Sequence, residues 1–78
     1  MRKLRLTPMQ RDILWMLEEA GKENMPCIRA TLHPPDELEF VSQVNALERL
    51  GFVYRSLASG TELESLVLTS EGRRTLSR

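Results

Sequence analysis

Residues 40–68, FVSQVNALERLGFVYRSLASGTELESLVL, decide the fold, because the spacing of their apolar positions changes at Gly51. Before that glycine, Phe40, Val41, Val44 and Leu47 recur at helical spacing and predict one core-facing side, with Leu50 at its edge. Leu38, Ser42, Asn45, Ala46 and Arg49 fall on the opposite side. After it, Phe52-Val53-Tyr54-Arg55-Ser56-Leu57 is aromatic and β-branched, as strands are. Ala58-Ser59-Gly60-Thr61 has turn chemistry, and the segment from Glu62 to Leu68 reads as the return strand. A helix capped by Asp36 and stopped at Gly51 therefore feeds an antiparallel hairpin.

Upstream, Thr7-Pro8 is a helix start: the threonine hydroxyl accepts from orphan amides, and proline at the first helical position loses no bond. The helix runs to about Ala20 and stops at Gly21, with Ile13, Leu14 and Leu17 as its core stripe and Met9, Met16 and Ala20 at the margins. Trp15 points away from that stripe, which makes it the expected contact for a second copy or another partner. Lys22-Glu23-Asn24 reads as a polar loop. The segment from Met25 to Leu32 reads as a short second helix, or an extended segment followed by one turn, with Pro26 as its first residue. His33-Pro34-Pro35 cannot continue a helix. At the far end Thr69 closes the hairpin, and Ser70-Glu71-Gly72 leads into a short last helix from Arg73 to Leu76, whose Leu76 folds back on the core.

The 78 residues are expected to form a single domain, with a basic arm at 1–6 and the hairpin at 52–68. The mixture of 41% hydrophobic and 28% charged residues is that of a globular chain and not of a disordered tail. The longest apolar run, Ile13 to Leu17, falls far short of the roughly 20 residues that cross a bilayer. The basic N-terminus lacks the apolar stretch of a signal peptide, so a cytoplasmic location is the default expectation. Cys27 is the only cysteine and His33 the only histidine, which excludes an intramolecular disulfide and a multi-thiolate zinc site within one chain. Cys27 reads as a small buried residue and His33 as a turn residue. No catalytic group, metal site or cofactor is expected, and the chain does not read as an enzyme.

Three helices, a two-stranded antiparallel hairpin and a short C-terminal helix give an α+β chain with the layout of the winged helix-turn-helix. Leu6-Thr7-Pro8 with Ile13, Leu14 and Leu17, the stretch from Val41 to Leu47-Glu48-Arg49-Leu50-Gly51-Phe52-Val53, and Leu68-Thr69-Ser70-Glu71-Gly72-Arg73 carry a resemblance to MarR-type and related winged-helix regulators. It extends from Leu6 to Leu76, with a proline-rich departure between Met25 and Asp36. These positions encode packing and turns, not a base code.

The resemblance implies a transcriptional regulator that binds double-stranded DNA, with the third helix in the major groove and the hairpin wing on the flanking backbone. Carried onto this chain, it implies contacts from Ser42, Gln43, Asn45 and Arg49, with Arg55 and Ser59 near the wing and Arg2, Lys3 and Arg5 as a basic arm. The charge pattern opposes this. Net charge is zero, and the third helix begins with Asp36, Glu37 and Glu39 while the return strand carries Glu62 and Glu64. The alternative is a protein-binding module that sets its acidic third helix and wing against a basic partner, with Trp15 as apolar anchor.

Overall fold

The computed structural model describes residues 5–57 and 64–76. Helix α1 spans Pro8–Ala20, strand β1 Lys22–Asn24, α2 Met25–Leu32, α3 Glu37–Arg49, β2 Val53–Leu57, β3 Glu64–Leu68 and α4 Ser70–Leu76. The period change at Gly51 is the hinge of the architecture. Gly51 adopts φ 82, a left-handed conformation that glycine takes without steric cost, and the chain turns there from α3 into β2.

The start of α1 is a complete capping box. The Thr7 hydroxyl accepts from the Gln10 amide at 3.1 Å, and the Thr7 amide donates to Gln10 Oε1 at 3.0 Å. This accounts for the burial of the Gln10 side chain, whose polar end closes the helix end. Ile13, Leu14 and Leu17 are fully buried, whereas Trp15 is half exposed. Ala20, expected at the margin of the stripe, is exposed.

Two elements differ from the sequence reading. Lys22-Glu23-Asn24 is not a loop: it pairs antiparallel with β3, Lys22 opposite Val67 and Asn24 opposite Ser65. The sheet therefore has three strands in the order β1-β3-β2, with β3 in the middle. Three polar residues carry no alternation, so only the partner strand makes them a strand. The last helix begins at Ser70, three residues before the expected start. Thr69 is its cap: its hydroxyl accepts from the Gly72 amide at 3.0 Å and donates to the Gly51 carbonyl at 2.6 Å.

The segment after β1 is a regular helix. Asn24 Oδ1 accepts from the Cys27 amide at 2.8 Å, so Asn24 is the cap and Pro26 is the second helical residue, not the first. Cys27, expected to be buried, is half-buried. His33 ends the helix in the left-handed region at φ 48, which is unusual for a side-chain-bearing residue; its amide donates to the Arg29 carbonyl at 3.0 Å. Asp36 then caps α3 by accepting from the Leu38 amide at 2.9 Å.

The core is one cluster: Ile13, Leu14 and Leu17 of α1, Ile28 of α2, Phe40, Val44 and Leu47 of α3, then Phe52, Val53, Leu66 and Leu68. Leu6, Met9, Met16, Met25, Leu32 and Leu76 pack around it. Val41, read from the sequence as core-facing, is instead 36% exposed, because the centre of the buried arc lies on Phe40, Val44 and Leu47. The two arms of the hairpin pair from Val53 opposite Leu68 to Leu57 opposite Glu64. The turn expected at 58–61, with Ser59 and Gly60, falls outside the described residues.

Candidate nucleic-acid interface

The outward side of α3 is a straight stripe. At about 100° per residue, Leu38, Ser42, Asn45 and Arg49 fall within an arc of roughly 60°, opposite the buried Phe40, Val44 and Leu47. Leu38, Ser42 and Arg49 are exposed and Asn45 is half-buried. Arg49 is exposed and makes no ion pair with another described residue.

Gln43, the fourth helix residue expected to touch bases, sits roughly 140° from Leu38 on the same wheel. Its side-chain amide is already engaged at both ends. Oε1 accepts from the Thr7 hydroxyl at 3.1 Å, and Nε2 donates to Glu39 Oε1 at 2.7 Å. Gln43 therefore ties α3 to the start of α1, fixing how the stripe is held against the core.

Arg55 is similarly occupied. Its guanidinium donates from Nε to Glu48 Oε1 at 3.1 Å, from Nη1 to Glu64 Oε2 at 3.2 Å, and from Nη2 to Asn45 Oδ1. One side chain on β2 thus joins α3 to both strands of the wing. Each exposed pair alone contributes about 0.2–1 kcal/mol, but three acceptors on one planar fork fix its direction. Two carboxylates neutralise this arginine, leaving little net attraction for phosphate. Asn45 keeps a free lone pair on Oδ1, and its amide nitrogen donates to no described residue.

The acidic first turn of α3 is also largely satisfied within the chain. Glu37 pairs with Arg29 Nη2 at 2.9 Å, Glu39 accepts from Gln43, and Asp36 caps the helix. The Arg29 guanidinium carbon lies 5.6 Å from the centroid of the Phe40 ring, so the same arginine docks α2 onto α3 through charge and ring together. Neither the Arg29 nor the Arg55 role was readable in sequence, since both depend on residues brought together by the fold.

Of the other expected contacts, Arg5 is exposed beside Leu6, which packs on the core. Arg2, Lys3 and Ser59 lie outside the described residues. Trp15 lines an open depression of about 260 Å³ with Met16, Leu32 and the carboxylates of Asp12 and Glu19. Among the described residues there is no cluster of potential metal ligands, and no helix is long and apolar enough to cross a membrane.

A helix-turn-helix followed by a hairpin pinned to its second helix defines the chain as a winged helix, an α+β fold. Comparison with solved structures gives the family likeness: over most of its length the chain resembles MarR-family transcriptional regulators. The transcriptional repressor CouR bound to a 23-mer DNA duplex is 33% identical with a TM-score of 0.85, over 95% of this chain and 52% of that one. A probable transcriptional regulator from Pseudomonas aeruginosa is 25% identical with a TM-score of 0.81, over 92% and 54% of the two chains. A transcriptional regulator from Thermotoga maritima is 23% identical with a TM-score of 0.83, over 92% and 51%. These are regulators, not enzymes. The chain spans about half the length of the structures it matches. No protein-family model matches it, and no curated protein matches it.

Proposed function

We propose that this chain is a DNA-binding transcriptional regulator that sets the outward stripe of α3 into the major groove and lays its wing along the flanking backbone. The observation that carries this reading is the row formed by the exposed Leu38, Ser42 and Arg49 with the half-buried Asn45 between them, on a helix locked to the wing by Arg55. The likeness to CouR, a repressor bound to duplex DNA, supports it. Ser42 is suited to either base type, Asn45 to adenine and Arg49 to guanine, each bidentate pair giving about 1–3 kcal/mol of discrimination. Ser59, Arg2, Lys3 and Arg5 supply backbone contacts at the wing tip and from the N-terminal arm. Gln43 acts as a brace and Arg55 as a clamp, so neither reads bases.

Assembly as a homodimer through Trp15 belongs to the same proposal, since two α3 stripes then meet half-sites of a pseudo-palindrome about one helical turn apart. Sedimentation velocity checks it: the wild-type chain associates and Trp15→Ala stays monomeric without losing its fold.

The acidic residues of α3 and the wing, Asp36, Glu37, Glu39 and Glu64, favour a second reading, a module that binds a basic protein with Trp15 as apolar anchor. Fluorescence anisotropy on random duplex at low and moderate salt separates the two. Binding that weakens steeply with salt is the result expected of a regulator, and Arg49→Ala then relaxes discrimination at one base pair of a preferred duplex by about 1–3 kcal/mol. Absence of binding at low salt, where counterion release favours it most, overturns the regulator.

A further inference from the structure

We propose that Leu38 is a specificity-determining residue that reads the 5-methyl group of thymine at one end of the site bound by α3; this inference rests on the DNA-binding reading above. Leu38 is 81% exposed, the most exposed of the large apolar side chains among the described residues. A lone exposed leucine is ordinary on a protein surface, so exposure alone decides nothing. Its position does. Leu38 lies at the centre of the arc that holds Ser42, Asn45 and Arg49, one turn before Ser42, so whatever surface those residues meet Leu38 meets too.

The helix start does not require a leucine there. Asp36 caps α3 through the Leu38 backbone amide, and the Leu38 side chain is not among those packed on the core. Chemistry then narrows what Leu38 can recognise. The side chain has no donor or acceptor, so it cannot use the hydrogen-bonding pattern of base edges. Thymine's C5 methyl is the apolar group that the four standard bases present in the major groove.

The neighbouring charges point the same way. Asp36, Glu37 and Glu39 surround Leu38 on the first turn, and carboxylates are repelled by phosphate. The first turn of α3 therefore offers phosphate no cationic side chain. Leu38 is the side chain there that gains by contact with an apolar group.

The test begins with a pool of duplexes carrying randomised base pairs, selected on the full chain. The enriched duplex is then resynthesised with each thymine in turn replaced by deoxyuridine, which removes one methyl and nothing else. For the wild-type chain, substitution at one position, or at a symmetric pair, weakens binding by about fourfold per methyl. For Leu38→Ala the same substitution has no effect, and the variant binds the thymine duplex as weakly as the wild type binds the deoxyuridine one. Leu38→Ala melts with the wild type by circular dichroism, because the side chain lies outside the core. Equal responses of both proteins at every thymine, with duplex binding intact, overturn the role of Leu38 alone. Failure of the wild type to bind any duplex overturns this role together with the DNA-binding reading.

Discussion

Gly72→Ala reverses the sign usually seen for this substitution. Inside an exposed helix, alanine is favoured over glycine by about 1 kcal/mol, because glycine loses more backbone freedom on folding. Gly72 is buried in α4, however, and a Cβ there falls inside the contact distance of the Phe52 carbonyl oxygen and 2.7 Å from Leu68 Cδ1. The leucine methyl can rotate, but the carbonyl is held in place. It accepts from the Thr69 amide at 3.0 Å, while the Phe52 amide donates to the Leu47 carbonyl at 3.0 Å. Overpacking of this kind costs about 1–3 kcal/mol, and an immovable backbone partner puts the cost near the top of that range. Subtracting the propensity gain leaves a net destabilisation of about 2 kcal/mol. For a chain of this size that lowers Tm by about 8–16 °C. Thermal melting followed by circular dichroism reads it directly. A variant that melts at or above the wild type refutes the close docking of α4 on the entrance to β2.

Three further outcomes follow from the same contacts. Thr69→Val removes the hydroxyl that joins Gly51 to Gly72, costing about 1–2 kcal/mol in urea unfolding with little change in shape. Gln43→Ala breaks the tie between α3 and Thr7 and lowers stability by about 1 kcal/mol, yet duplex affinity stays unchanged, which distinguishes a brace from a base contact in paired unfolding and anisotropy titrations. Glu64→Gln removes one carboxylate from Arg55, so anisotropy registers tighter duplex binding and a salt slope steeper by about 1 as Arg55 gains a phosphate.

The parts of the fold that were legible in sequence are those fixed by local chemistry. Thr7-Pro8 and Gly21 bound α1, and Asp36 and Gly51 bound α3, because caps and left-handed stops act within one turn of the chain. What was not legible depends on distant residues. Lys22–Asn24 becomes a strand only by lying against Ser65–Val67, and no property of three polar residues announces that. Gly72 reads as a helix breaker in isolation; its reason is the Phe52 carbonyl beside it, 20 positions earlier in the chain. In the candidate site, Ser42, Asn45 and Arg49 were recoverable from the period of the helix. The binding of Gln43 to Thr7 and of Arg55 to Glu48 and Glu64 was not, because each bond joins elements whose proximity only the tertiary structure creates. The helical wheel did contain one unused signal, since it places Gln43 well away from the line of Leu38, Asn45 and Arg49.

Chemical-shift mapping on the isotopically labelled chain, titrated with duplex DNA, tests most directly whether the α3 stripe is the docking surface. The largest shifts are expected at the backbone amides of Leu38, Ser42, Asn45 and Arg49 and along β2 and β3, with Trp15 and Glu19 unmoved. Shifts centred on Trp15, Asp12 and Glu19 with α3 silent, or no shifts at low salt, contradict the account.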